Sequence, residues 1–153
     1  MTQRATSRRR GDVTPATPVR DVMHGNPVIV DHDTRAVDAA RTMQTRDIGD
    51  VLVRTSGGGF GILTDRDLVV RLVANERDPY ATTAGELCST PAITVGPDDT
   101  VGRAVVVMRQ RSVRRLPVID NGVPVGIVTL GDLAMEREPN SLLGEISSAS
   151  PNL

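Results

Sequence analysis

The chain contains the same strand-to-helix junction twice. GILTDRDL occupies residues 61–68 and GIVTLGDL occupies residues 126–133, so that Gly, Ile, Thr, Asp and Leu recur 65 residues apart. The same shift needs no gap and aligns further positions, namely Val30 with Val95, Asp33 with Asp98, Ala39 with Ala104, Met43 with Met108, Arg46 with Arg111 and Val53 with Val118. A 153-residue chain with such a repeat is constrained to two small, similar halves that share a core.

Each copy predicts the same order of elements. A β-rich segment, NPVIV (26–30) or PAITV (91–95), is followed by an acidic turn and an amphipathic helix. Two short apolar strands follow, 51–53 with 61–63 and 116–119 with 125–128, and a second helix starts at each Thr-x-x-Asp. The helix faces repeat apolar residues at the same spacing: Ala36, Ala39, Ala40 and Met43, then Val101, Ala104, Val105 and Met108. The sequence predicts an α+β fold of two β-α-β-β-α repeats related by a pseudo-twofold axis.

The boundaries of the repeats follow from composition. Residues 1–18 lack apolar periodicity and are predicted to be a disordered arm. The first repeat is assigned to 19–75, a linker to 76–83 and the second repeat to 84–136. Residues 137–153 are predicted to form a tail, in which SLLGEI has the pattern of one short helix.

Charge and cysteine content exclude several classes of function. The formal net charge of −1 provides no overall attraction to nucleic acid or to an anionic membrane, and no apolar run is long enough for a membrane span. The single cysteine, Cys88, excludes an internal disulfide and favours a reducing compartment. We therefore expect a cytoplasmic protein without membrane contact. Association with nucleic acid through Arg8–Arg10 stays open as the least favoured alternative, which deletion of residues 1–12 would test.

The two copies resemble a known family. VMHGNPVIV (22–30), SVRRLPVID (112–120) and GIVTLGDL (126–133) are similar in order and spacing to the cystathionine-β-synthase-type (CBS) domain, over about residues 19–136. Two such domains in tandem resemble a Bateman module of the stand-alone bacterial or archaeal type. The resemblance implies a non-catalytic, energy-sensing regulatory module that binds an adenosine-containing ligand between its repeats and signals to a protein target through a conformational or dimer change. It implies AMP, ADP or ATP before S-adenosylmethionine or NAD, no required cofactor or metal, and a homodimer.

The resemblance also implies two unequal ligand sites. The stronger site combines the second junction with the first strand of the other repeat, and its predicted residues are Asn26, Pro27, Val28, Ile48, Arg114, Arg115, Thr129 and Asp132. Asp132 is expected to bind ribose hydroxyls, and the two arginines are expected to bind phosphate. The weaker site comprises Thr64, Asp67, Pro91, Ala92, Ile93 and Val113. There Asp50 stands where the second copy has Arg115, and it is expected to repel phosphate.

Simpler interpretations of the same residues stay open. Thr-x-x-Asp before an apolar run is also the pattern of a helix capping box, which leads to the alternative of a scaffold dimer with vestigial ligand sites. His24 and His32 have no metal-site spacing and are predicted to be polar loop residues. Cys88, aligned with Met23, is predicted to pack as a small apolar side chain, although a redox role stays open. The apolar segment LVVRLVA (68–74) is the expected dimer face.

Overall fold

The computed structural model describes residues 14–137 and Ile146, and it confirms the mixed helix and strand fold with two repeats. Its main elements, in chain order, are β1 (His24–Gly25), β2 (Ile29–Asp31), α1 (Ala36–Arg46), β3 (Asp50–Arg54), β4 (Phe60–Thr64), α2 (Asp65–Asp67), α3 (Ala84–Leu87), α4 (Val101–Arg111), β5 (Arg115–Asp120), β6 (Val123–Thr129) and α5 (Leu130–Arg137). Residues 1–13 of the predicted arm lie outside the described residues, and so does the predicted tail helix apart from its last residue, Ile146, which is helical and exposed.

The strands form two three-stranded sheets, one for each repeat. The first has the order β2-β3-β4, with β2 parallel to β3 and β3 antiparallel to β4. The second has the order β1-β6-β5, with both pairings antiparallel. The hairpin in the second repeat turns through Asn121 and Gly122, which both have positive φ, as a tight two-residue turn requires.

Each repeat donates its N-terminal segment to the other repeat. β1 belongs to the first repeat by sequence but pairs with β6, where His24 lies opposite Ile127. Ser89, which the 65-residue shift aligns with His24, makes an isolated bridge to Ile62 of the first sheet. Because each half supplies part of the other half's sheet, the two repeats are interlocked rather than merely adjacent.

The hydrophobic cores follow the same exchange. The core of the second half includes Val19 and Val22 from the start of the first repeat, packed with Val101, Ala104 and Met108. The core of the first half includes Ala84, Leu87 and Cys88 from the start of the second repeat. Three of the four residues predicted for each helix face are buried, Ala36, Ala39 and Met43 on α1 and the matching three on α4, whereas Ala40 is only partly buried and Val105 is exposed.

Two predictions about chain segments are wrong in detail. Residues 14–18 were predicted to be disordered, but they form a turn bonded to the start of α4, where the amide of Val101 donates to the carbonyl of Thr17 at 2.8 Å. The segment PAITV was predicted to be a strand like NPVIV, but only Val95 makes a bridge, to Val118. In the first repeat the amide of Leu52 donates to Val28, and its counterpart Pro117 has no N–H to donate.

The two second helices also differ. After α2 the chain continues as a π-helical segment over Leu68–Val73, whereas α5 is α-helical over Leu130–Arg137. In the π-helical segment only Leu72 is buried, and the three valines at 69, 70 and 73 are exposed. No helix within the described residues is long and apolar enough to cross a membrane.

Candidate functional site

The second junction is a capping box at the start of α5. The amide and the hydroxyl of Thr129 donate to Oδ2 of Asp132 at 2.7 and 2.8 Å, and the amide of Asp132 donates back to Oγ1 of Thr129 at 3.3 Å. Asp132 is buried. The capping interpretation is therefore correct at this junction, but it uses only one carboxylate oxygen and leaves Oδ1 for another partner.

His24 occupies that partner position. Its Nε2 lies 2.5 Å from Oδ1 of Asp132, while 76% of its side chain is exposed and only 7% of that of Asp132. The prediction that His24 is a polar loop residue is wrong. His24 lies in β1, and the pairing of β1 with β6 brings it to the junction of the other repeat. The sequence contains no signal for this contact, since it depends on the exchange of segments.

The first junction has the same capping box with different surroundings. The amide and the hydroxyl of Thr64 donate to Oδ2 of Asp67 at 2.9 and 2.8 Å. The nearest cation is Arg71, whose Nη2 lies 3.4 Å from Oδ1 of Asp67 and donates to Oγ of Ser89 at 2.9 Å. The same guanidinium donates through Nη1 to the carbonyl of Leu87 at 2.7 Å. Arg71 and Ser89 are contacts that the sequence did not predict.

Asp50 and Arg115 lie between the junctions and contact each other. They are equivalent positions of the two repeats, and Nε of Arg115 lies 2.8 Å from Oδ2 of Asp50. Burial raises the pKa of Asp50; Arg115 opposes this, and the nearby carboxylates Asp65 and Asp132 add to the rise. The guanidinium that was predicted to bind phosphate is therefore already paired with a carboxylate of the first repeat.

The remaining predicted residues of the stronger site lie around this pair. Arg115 is opposite Thr129 in the sheet, and the amide of Leu130 donates to the carbonyl of Arg114 at 2.9 Å. A Cβ at Gly49, next to Ile48, would lie 2.8 Å from Nη2 of Arg115, which places this part of the first repeat beside the guanidinium.

Residues 26–28, which were predicted to belong to the stronger site, extend from the second junction toward the first sheet. They continue from β1, whose Gly25 lies opposite Gly126, and they reach the first sheet, where the carbonyl of Val28 accepts from the amide of Leu52 at 2.9 Å. Asn26, at the start of this stretch, is exposed and has positive φ, and Pro27 is partly buried.

The predicted residues of the weaker site are more dispersed. Ala92 donates its amide to the carbonyl of Phe60 at 2.8 Å, at the opposite end of β4 from Thr64. Pro91 is exposed, whereas Ile93 and Val113 are partly buried against the core of the second half. The structure brings Thr64 and Asp67 together with Arg71 and Ser89.

The thiol of Cys88 lies near the charges of Asp67 and Arg71 at the first junction. Cys88 is buried in the core of the first half, where burial raises the pKa of its thiol, and this favours the predicted packing role over a redox role. Among the described residues no group of three or more His, Cys, Asp or Glu side chains is arranged to hold a metal ion.

Two interlocked repeats with a Thr-x-x-Asp junction in each define a tandem small-domain module. The family model for the CBS domain matches residues 19–74 and 84–138. The chain therefore belongs to the CBS-domain family, as the sequence predicted. CBS pairs of this stand-alone type are generally regulatory and non-catalytic.

The relatives include proteins of similar length. The CBS domain-containing protein YhcV of Bacillus subtilis is 35% identical over 126 residues, covering 82% of this chain and 89% of that protein. Hypoxic response protein 1 of Mycobacterium tuberculosis is 35% identical over 128 residues, covering 83% and 90%. An uncharacterized protein of Methanopyrus kandleri is 38% identical over 122 residues, covering 78% of this chain, and the match spans only 59% of that longer protein.

Solved structures agree on the fold. Hypoxic response protein I, crystallised with two coordinated zinc ions, superposes with a TM-score of 0.69 at 35% identity, covering 77% of this chain and 97% of that one. A hexameric CBS-CP12 protein from bloom-forming cyanobacteria has a TM-score of 0.74 at 24% identity, covering 84% and 78%, and this likeness concerns the fold alone.

Proposed function

We propose that the protein is a regulatory module that binds an adenosine-containing ligand, with AMP, ADP or ATP favoured, between its two repeats. The observation that carries the proposal is that the two oxygens of each junction carboxylate have different partners. Oδ2 of Asp67 and of Asp132 completes the capping box, so that Oδ1 is directed to groups other than the cap. An ionised carboxylate oxygen accepts more than one hydrogen bond, and Oδ1 therefore has the capacity to hold a ribose diol while the helix stays capped.

The phosphate part of the proposal depends on arginines near the second junction. Arg114 is exposed, and Arg115 is bound to Asp50 through Nε. A guanidinium has five N–H donors in a planar fork, so Arg115 is able to keep Asp50 on Nε while its terminal nitrogens bind phosphate oxygens. Ligand binding at this position would act on the contact between the two repeats, which is how we propose that the signal is produced.

A thermal-shift titration of the full chain against AMP, ADP, ATP, NAD and S-adenosylmethionine tests this function. A ligand that binds only the folded state at 100 times its dissociation constant stabilises that state by about 2.7 kcal/mol, which is a readily measured rise in melting temperature. We expect Asp132→Asn to abolish or strongly weaken the response, because the amide keeps one capping oxygen but loses the anionic acceptor. Asp67→Asn is the matched variant at the other junction. A melting temperature that does not respond to any of the five at millimolar concentration would contradict ligand binding.

The exposed valines of the π-helical segment support a second function, that of an interaction dimer with vestigial ligand sites. Val69 and Val73 are 59% and 65% exposed, and Val70 lies between them with 46% exposed. Adjacent apolar side chains of this size on a small protein favour a partner surface, and we propose a second copy of this chain. Val73→Glu should convert a dimer into a monomer in light scattering, whereas Val123→Glu, on the exposed β5–β6 hairpin, should leave the mass unchanged.

A further inference from the structure

The two junctions have the same capping geometry but differ in what faces the second carboxylate oxygen. At the second junction the imidazole of His24 contacts Oδ1 of Asp132 at 2.5 Å. At the first junction the equivalent of His24 is Ser89, which is bonded to Arg71 instead, and Arg71 approaches Oδ1 of Asp67 only to 3.4 Å. One junction oxygen is therefore closely occupied by the other repeat, and the other is contacted only loosely from its own helix.

The backbone of His24 is paired in the sheet, whereas its side chain is mostly exposed and contacts Asp132 from the solvent side. The residue pairs with Ile127 in the sheet, and Gly126 allows a close approach, since a Cβ there would lie 2.7 Å from the carbonyl oxygen of His24. The imidazole itself is 76% exposed, so that it can rotate away from Asp132 without leaving a cavity. Asp132 cannot follow it, because Oδ2 is held by both donors of Thr129.

We propose that His24 is a displaceable occupant of the ligand position at Asp132 and a specificity-determining residue of that site. This inference rests on the proposed function, because it names the protein group that a ribose diol must replace on Oδ1. Oδ1 accepts two hydrogen bonds and His24 uses one of them, so a ligand with a single hydroxyl binds beside the imidazole, whereas a ligand with two adjacent hydroxyls must displace it. The hydrogen bond lost by His24 is then subtracted from the binding free energy of the diol.

Calorimetric titration of the full chain with AMP and with 2′-deoxy-AMP tests the proposal. His24→Ser installs the residue that the second repeat has at the equivalent position, Ser89. We expect His24→Ser to bind AMP about 3- to 10-fold more tightly than the wild type, a modest factor because the imidazole is exposed. We also expect its preference for AMP over 2′-deoxy-AMP to rise, since only the diol uses the hydrogen-bond position that His24 vacates. His32→Ser, the matched change at the other exposed histidine, should leave both affinities unchanged.

A double variant separates the possible results. If His24 acts through Asp132, His24→Ser combined with Asp132→Asn should lose the whole gain. Unchanged or weaker AMP binding by His24→Ser, in a protein whose wild-type binding depends on Asp132, would overturn the competition and leave the proposed function in place. If neither the wild type nor His24→Ser binds AMP at millimolar concentration, this inference is overturned, and the nucleotide function is overturned with it only if ADP, ATP, NAD and S-adenosylmethionine also fail to bind.

Discussion

The two repeats have nearly the same fold, yet they carry opposite charges where they meet. Position 50 in the first repeat is Asp, and the equivalent position 115 in the second is Arg; the two contact each other at 2.8 Å. A pseudo-twofold arrangement brings equivalent positions together, so identical residues there would have placed two like charges in contact. The comparison shows that a duplicated sequence benefits from diverging at its own interface. The difference favours pairing of unlike halves over pairing of like halves.

The largest expected effect comes from making these two positions alike in charge. Asp50→Arg would place two guanidinium groups at a largely buried contact, and we expect it to lower the free energy of unfolding by about 3 kcal/mol. The double variant Asp50→Arg/Arg115→Asp restores opposite charges and should recover most of that loss. Urea unfolding of the wild type, the single variant and the double variant measures the three free energies of unfolding. A single variant as stable as the wild type would show that the pair contributes nothing to the association of the halves.

A smaller loss of stability is expected from substituting the two glycines, Gly126 and Gly61, against which the donated segments pack. A Cβ at Gly126 would lie 2.7 Å from the backbone carbonyl of His24, whereas one at Gly61 would lie 2.7 Å from Sγ of Cys88, with the nearest backbone atom at 3.0 Å. We expect Gly126→Ala to cost about 2 kcal/mol and Gly61→Ala about 1 kcal/mol, because a backbone atom yields less easily than a side chain.

Gly57→Ala is the control for both substitutions, since nothing lies within 4 Å of its Cβ position. Thermal unfolding of the three variants gives the ranking. Equal losses of unfolding free energy in Gly126→Ala and Gly61→Ala would contradict the predicted difference between a backbone and a side-chain neighbour.

The two capping boxes should differ in their contribution to the free energy of unfolding by less than the two glycines do. Removal of the hydroxyl in Thr129→Ala or Thr64→Ala deletes one acceptor and one donor of a capping box, at an expected cost of about 1 kcal/mol each. We expect the larger loss at Thr129, since its partner Asp132 is more deeply buried than Asp67. Serine at the same positions keeps the hydroxyl and should restore most of the stability in denaturant unfolding. A larger loss at Thr64 would reverse the predicted order.

The smallest effect is a difference in the pH dependence of stability between the wild type and Asp50→Asn. Burial raises the pKa of Asp50 in the folded state above its ordinary value of 3.8, so the folded state binds the proton more readily than the unfolded state. The contribution of this group to the free energy of unfolding therefore increases as pH falls from the raised pKa toward the ordinary one. Asp50→Asn should lack this contribution. The wild type should thus gain stability relative to Asp50→Asn on acidification, and a constant difference would contradict the sign.

Much of the fold could be read from the spacing of apolar residues. The helix faces at Ala36, Ala39 and Met43 and at their counterparts are buried as predicted, because a 3.6-residue period is a local property of the chain. The predicted strand at residues 91–95 is wrong because it depended on one backbone N–H. PAITV has the composition of a strand, but Pro117 withholds the N–H that its counterpart Leu52 provides.

The candidate site was predicted less completely. Thr129 and Asp132 were identified from the repeated motif, and the capping contact through Oδ2, which leaves Oδ1 outside the capping box, follows from local geometry. His24 was missed because its partner lies on a segment whose position depends on the exchange between repeats, and the contact of Arg71 with Ser89 was missed for the same reason. The i,i+4 spacing of Asp67 and Arg71 was a local signal that could have identified Arg71.

The sequence by itself determined that there are two repeats, their α+β order, the helix faces and the two capped junctions, because each depends on residues close together in the chain. Only the tertiary structure decided which repeat covers which junction. It placed His24 on Asp132 and Asp50 on Arg115 through the pairing of β1 with β6 and the approach of the two halves. Such contacts join residues 65 or more positions apart, and no local pattern of apolar or charged residues specifies them.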